Sequence, residues 1–142
     1  MGRLVAIDYG TKRTGIAVSD TLKIIANGLT TVPTHKLAEF LKDYFEKEEI
    51  DCVIIGLPKK MNNEYSDSMQ HIRPFAKKLQ ATYPDLQIEF FDERFTSSMA
   101  QKAMIEGGLK KKDRQNKALV DEISATIILQ DYMESVKFRN RE

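Results

Sequence analysis

Three carboxylates in this 142-residue chain stand in settings unlike ordinary surface charge. Asp8 closes an apolar run that begins after Arg3, and a glycine-bearing turn follows it directly. Glu93 comes two residues after the hydrophobic stretch Ile88 to Phe91. Asp121 is in phase with Ala125, Ile128 and Tyr132 at i+4, i+7 and i+11, which puts it on the sheet-facing stripe of a helix. Ligands of open α/β sheets collect at the carboxyl ends of parallel strands, where Asp8 and Glu93 both fall. Three carboxylates gathered within a few ångströms repel one another, and burial raises the cost of ionising each. A divalent cation resolves that conflict. An all-oxygen set that needs neither Cys nor His suits Mg²⁺ or Mn²⁺, and two such ions ~4 Å apart clamp the attacking and leaving oxygens of a phosphodiester displacement. The expected chemistry is therefore metal-dependent hydrolysis of ester bonds, with Asp8, Glu93 and Asp121 as both catalytic acids and metal ligands. Taken singly, each acid also has a plain structural reading: a turn cap, an ion pair with Arg94, a solvated helix charge.

The other polar clusters fit a phosphate-bearing substrate. Lys12 and Arg13 follow Asp8 closely and would flank any ion held there. Arg94, Thr96 and Ser97 precede a short helical pattern, where hydroxyls and amide N–H groups bind anions or simply cap the helix. The segment Lys110-Lys111-Lys112-Asp113-Arg114-Gln115-Asn116-Lys117 carries no apolar residue and can touch a phosphate backbone, although such runs are more often solvated loops. His35 and His71 lie far in sequence from the acids and are read as surface or satisfied histidines. Gly10, Gly15, Gly56, Gly107 and Gly108 are read as serving turns and loops. No dinucleotide-binding or Walker glycine pattern is present.

The elements that must position these groups follow from periodicity. Arg3 to Asp8 and Thr14 to Ser19 read as two strands joined by a short turn, the first apolar on both faces and so central. A third strand over Asn27 to Val32, ended by Pro33, completes a meander. Leu37, Phe40, Leu41, Tyr44 and Phe45 recur at helical spacing. Cys52 to Leu57 is a short buried strand, and the strand-helix-strand order favours parallel pairing. Residues 57–65 read as a polar loop. Met69, Ile72, Phe75, Ala76 and Leu79 mark a second helix, with Pro74 inside it as an expected kink. A strand over Gln87 to Phe91 runs into Asp92-Glu93-Arg94. Ser97 to Glu106 reads as a short helix closed by Gly107-Gly108. A last helix over about residues 117–136 is apolar round most of its circumference and should pack deep against the sheet.

Composition sets the bounds. The length and the 42% hydrophobic content allow one self-sufficient core without disulfides or a structural metal. The expected organisation is one domain over residues 1–138 with a short polar tail, 139–142. Cys52, the one cysteine, sits in an apolar run, which argues against zinc sites of the Cys-x-x-Cys type and against a thiol nucleophile. Apolar stretches reach only about four or five residues against the ~20 that span a bilayer, and the N-terminal apolar part is too short for a signal peptide. A cytoplasmic protein without membrane contact is expected. Charges nearly cancel, 22 Lys+Arg against 21 Asp+Glu, which taken alone weighs against a nucleic-acid binder.

The residues from Asp8 through Asp20, then Gly56-Leu57-Pro58, then Asp92-Glu93-Arg94-Phe95-Thr96-Ser97, and finally Asp121-Glu122-Ile123-Ser124-Ala125 with Ile128-Leu129-Gln130 resemble the YqgF (RuvX) family. The resemblance runs in order over nearly the whole chain. It implies an α/β, ribonuclease H-like fold: a five-stranded mixed sheet, an antiparallel meander followed by parallel strands, flanked by helices. It further implies a cytoplasmic nuclease, related to Holliday junction resolvases, that matures the 5′ end of pre-16S ribosomal RNA. Asp8, Glu93 and Asp121 fall on the family's acidic positions. Asn62-Asn63, where the family usually has a glycine, and Ser124, in place of an alanine, depart from its pattern without touching an acid.

The implied partner is RNA, a ribosomal precursor, with structured DNA as the alternative and a monomer or homodimer as the acting form. Rival readings are a resolvase on branched DNA, which needs a symmetric dimer, and a non-catalytic RNA-binding assembly factor. Asp-x-Gly-Thr also resembles the phosphate loop of actin-like ATPases, but the chain is too short for their two lobes. The near-zero total charge hides local asymmetry: acids between Glu39 and Asp51 offset cations after Asp8 and before the last helix. Only a few phosphates can be neutralised at once, so affinity for RNA should fall with a shallow slope as salt rises. A fluorescence-anisotropy salt titration checks this, and a steep slope contradicts it.

Overall fold

A computed structural model describes residues 2–57, 69–92 and 117–140. The expected meander is present as β1 (Arg3–Tyr9), β2 (Arg13–Ser19) and β3 (Ala26–Pro33). A 3₁₀ turn over Thr34–Lys36 leads into α1 (Leu37–Lys47), which begins at the first residue of the apolar helical spacing. Then follow β4 (Ile50–Leu57), α2 (Met69–Thr82) with Pro74 inside it, β5 (Gln87–Asp92) and α3 (Lys117–Asn140). The sheet order is β3-β2-β1-β4-β5, antiparallel through β3-β2-β1 and parallel through β1-β4-β5. β1 is central, as its two apolar faces require. The expected polar loop over residues 57–65 falls almost wholly outside the described residues, and the short helix Ser97 to Glu106 and the basic segment Lys110 to Lys117 lie outside them save for Lys117, where α3 begins.

The pleat divides the core into two layers. Val5, Ile7, Ile16, Val18, Val53 and Ile55 face α1 and α2, meeting Leu37, Leu41, Ile72, Ala76 and Leu79. Leu4, Ala6, Ala17, Cys52 and Ile54 face α3, meeting Ala125, Ile128, Leu129 and Met133. Each fully buried Ile or Leu in these layers contributes about 1.5–3 kcal/mol. One layer is built from branched residues on strands against two amphipathic helices. The other contains Ala6, Ala17 and Ala125, all without exposed surface, so α3 approaches the sheet closely.

Two readings of glycine change. Gly15 and Gly56 lie inside β2 and β4, not in turns. A strand-interior glycine marks a place where another backbone comes near, and at Gly15 that backbone is α3.

Cys52 is buried, as its apolar neighbours imply. Its thiol donates weakly toward the Val53 carbonyl at 3.7 Å, and Glu89 Oε2 lies 4.0 Å away, where it also accepts from the Tyr132 hydroxyl. Burial first, then the Glu89 charge, pushes the thiol up to about 11. The unfolded chain loses this proton at lower pH than the folded one, so the contribution to stability is complete below about pH 8.5 and is lost as pH rises toward the folded value. Urea midpoints for wild type and Cys52→Ala, compared at about pH 8 and about pH 10, should show the larger alkaline loss in wild type. Equal losses refute the assignment.

Candidate functional site

Asp8 is the sixth residue of β1, and the pleat sets its side chain on the α3 face with Leu4 and Ala6. Its cross-strand partner is Gly15, as Ala17 is the partner of Ala6. A Cβ at Gly15 would fall inside 3.0 Å of the Asp121 carbonyl and reach the Glu122 amide nitrogen at 3.0 Å. The Asp121 backbone thus occupies the place of a side chain on the residue opposite Asp8, and opposed Cβ positions stand only about 4.5–5.5 Å apart. The backbone of Asp121 comes to rest beside the cross-strand partner of Asp8, more than a hundred residues away in the chain.

Arg13 is drawn into the same spot. Its Nε donates to Asp121 Oδ2 at 3.0 Å. The Arg13 and Asp121 side chains retain 38% and 23% exposure, so solvent screening limits the pair to about 1 kcal/mol of stability or less, and its value is positional. Lys12 is exposed at the turn beside it. Thr34 braces this turn: its amide donates to the Lys12 carbonyl at 3.0 Å and its hydroxyl to the Gly10 carbonyl at 2.6 Å. That commits the Thr34 proton, so the buried Thr14 hydroxyl donates to Thr34 Oγ1 at 2.9 Å. On the opposite face, Tyr9 packs its ring 5.1 Å from that of Phe75 in α2, and burial raises its phenol above the usual range. Sequence reasoning passed over Thr34 and Gly15. The signal for Gly15 was its place in the middle of an apolar strand pattern; Thr34 gave none, since its partners lie twenty or more residues away in sequence.

Glu93 immediately follows the last residue of β5, whose Asp92 is in register with Leu57 at the carboxyl ends of the parallel strands. Glu93 itself lies outside the described residues, together with Arg94, Thr96, Ser97, Lys110, Lys111, Lys112 and Arg114. The described residues therefore pair Arg13 with Asp121 and set the Asp121 backbone on Gly15, the cross-strand partner of Asp8, with Lys12 exposed on the adjoining turn. His35, in the 3₁₀ turn, and His71, on α2, are exposed. A cavity of about 310 Å³ between α1 and α2, lined by Phe75, Leu79 and Tyr83 with Glu39 and Lys42, is on the face opposite Asp8. Among the described residues, no helix is long and apolar enough to cross a membrane.

A five-stranded mixed sheet of this order, with helices on both faces, is the fold of the ribonuclease H-like class. The structure matches that of "T. thermophilus RuvC in complex with Holliday junction substrate" with a TM-score of 0.57, over 96% of both chains at 16% identity, so the two share this α/β fold. Within the class, the family model described as "RuvX: Holliday junction resolvase" matches residues 2–135, and the chain belongs to the RuvX family, also called YqgF. A "Putative pre-16S rRNA nuclease" of Bacteroides thetaiotaomicron is 65% identical over 138 residues, covering 97% of this chain and 100% of that protein. Proteins of the same name from Bacteroides fragilis and Flavobacterium johnsoniae are 64% and 56% identical, covering 95% and 97% of this chain and 98% and 100% of their own lengths.

The close seat of α3 is open to a direct check. Gly15→Ala sets a methyl against helix backbone that cannot rotate away, and should lower stability by about 2–3 kcal/mol in urea denaturation. Gly28→Ala meets only the Glu122 side chain, 2.6 Å from Oε1 and 2.8 Å from Cγ, which can swing aside. Its cost should stay below about 1 kcal/mol. Equal costs at the two sites contradict the backbone contact.

Proposed function

We propose that this protein is a divalent-metal-dependent endonuclease that hydrolyses phosphodiester bonds in RNA, acting in maturation of the 5′ end of pre-16S ribosomal RNA. The observation that carries this reading is the convergence of Asp8 and the Asp121 backbone at Gly15. Relatives 56–65% identical over nearly their whole lengths, each named a pre-16S rRNA nuclease, support RNA as the substrate.

The donor set fits a hard cation. Asp8 and Asp121 offer carboxylate oxygens, and the one cysteine lies beside Leu4, four residues up the strand. Among the described residues no three acids or other ligands form a complete cluster, so the third position is assigned to Glu93, outside them. Asp8, Glu93 and Asp121 would hold Mg²⁺ or Mn²⁺, which when bound supplies Lewis-acid polarisation of the phosphodiester. The chain's own groups do the rest. Arg13 holds the Asp121 carboxylate by one oxygen, fixing its rotamer before substrate arrives. Lys12, on the turn braced by Thr34, offers a mobile cation to a substrate phosphate at the rim. Arg94, Thr96, Ser97, Lys110, Lys111, Lys112 and Arg114 are proposed to bind phosphates farther along the strand.

A second reading, cleavage of branched DNA, is favoured by the family description and by the junction-bound title of the structural neighbour. The neighbour is 16% identical, against 65% for the relative named for RNA. Wild type and Asp8→Asn should be assayed on a 5′-extended 16S precursor RNA and on a four-way DNA junction, each with Mg²⁺ and with Mn²⁺. Wild type should cut the RNA, and Asp8→Asn should lose at least about 100-fold, or roughly 2.7 kcal/mol of barrier, with an unchanged urea midpoint. Undiminished turnover by the variant sinks the catalytic assignment. Cutting of the junction alone selects the resolvase, and RNA binding without product under either metal selects a non-catalytic factor.

A further inference from the structure

At the end of the sheet away from Asp8, the turn between β2 and β3 presents Leu22, Ile24 and Ile25 at 63%, 58% and 57% exposure. This is a fixed turn. Asp20 Oδ1 accepts from the amides of Ile24 and Ile25 at 2.8 and 2.9 Å, and those backbone bonds hold its carboxyl below the usual range. The Lys23 amide donates to the Asp20 carbonyl at 3.1 Å, and Lys23 takes a positive φ of 59° that a side chain rarely adopts. Lys23 Nζ is anchored to Asp51 Oδ2 at 2.5 Å. The chain thus spends local order to hold three large apolar side chains in water, where nothing within the described fold covers them.

Beside the turn is a groove of about 430 Å³, walled by Ile24 and Ile25 on one side and by Met133 of α3 on the other. Its rim carries Asp131 and Glu134. Burial raises the Asp131 carboxyl above its usual range, which marks an anion partly stripped of water. Among the described residues the cations at this end are already engaged: Lys23 pairs with Asp51, and Arg3 pairs with Glu48 and donates to the Ser19 carbonyl. Among the described residues, a groove with apolar walls and two carboxylates on its rim selects its partner by charge.

We propose that this surface docks a protein segment whose apolar anchors are flanked by lysine or arginine. Because the surface lies at the opposite end of the sheet from Asp8, a docked segment leaves the acids open to substrate. It acts as a tether that brings the protein to a basic protein partner. The inference is independent of the reaction assigned above.

The probes are two labelled helical peptides of equal leucine content, one with lysine at every polar position and one with glutamate, titrated by anisotropy. The full chain should bind the lysine peptide at least about tenfold more tightly, a difference of about 1.4 kcal/mol. Ile24→Ser combined with Ile25→Ser should weaken that binding at least about tenfold, as loss of central apolar anchors does. Asp131→Asn with Glu134→Gln should abolish the preference for lysine. Urea midpoints of both variants should match wild type. No binding, equal binding of the two peptides, or binding that ignores the substitutions overturns the proposal. So does a wild-type dimer in light scattering that the Ile24 and Ile25 substitutions dissociate, since the surface would then serve a second copy.

Discussion

The seat of α3 on β2 at Gly15 is the contact on which the candidate site depends. A helix axis normally rides about 10 Å above a sheet, separated from it by side chains of both layers. Here glycine removes the side chain on one of them, and the backbone of Asp121 and Glu122 drops into the gap. Since Gly15 is the cross-strand partner of Asp8, the descent carries the Asp121 end of the helix onto the neighbourhood of the strand acid. Gly28 on β3 makes a second shallow seat one strand over, filled by the Glu122 side chain. Ala6, Ala17 and Ala125 keep the layer thin along the same line, and Ile54, Ile128 and Leu129 fill it where it widens.

The Asp121 carboxylate delivered to this end of the sheet is met by a cation from the fold itself. Arg13 lies on β2 two residues before the glycine, so by strand alternation it shares that glycine's face, and its Nε meets Asp121. The pair is too exposed to hold the fold, yet it gives the Asp121 carboxylate a fixed cationic partner. The turn that delivers Arg13 is tied from below by Thr34, at the junction of β3 and the 3₁₀ turn, and the end of β1 is held on the other face by Tyr9 against Phe75. Both layers of the molecule therefore fix one end of β1 and β2. The opposite end is spent on the apolar turn over Leu22, Ile24 and Ile25, so the two ends of one sheet carry unlike surfaces.

Much of this was legible before any coordinates. The strand pattern of Arg3 to Asp8 named the central strand, because a segment apolar on both faces has no edge to spare. The i+4 and i+7 spacing from Asp121 to Ala125 and Ile128 named the buried stripe of α3, and both alanine and isoleucine on it are fully buried. Family-like motifs at Asp8 to Asp20 and Asp121 to Gln130 pointed to a five-stranded mixed sheet with an antiparallel meander and then parallel strands, which the structure contains. These are local or periodic properties, written in consecutive residues.

What the sequence by itself determined is therefore which segments are strands and helices, which faces they bury, and that Asp8 and Asp121 sit where a core-facing residue belongs. Only the tertiary structure decided that Gly15 is a helix seat and not a turn residue, that Arg13 pairs with Asp121, and that Thr34 braces the turn carrying Lys12 and Arg13. Each of those facts joins residues between 20 and more than 100 positions apart, and no periodicity encodes such a distance. A glycine looks the same in a turn as under a helix. The difference lies in the backbone that comes to rest on it, and that is fixed only when the sheet layers close.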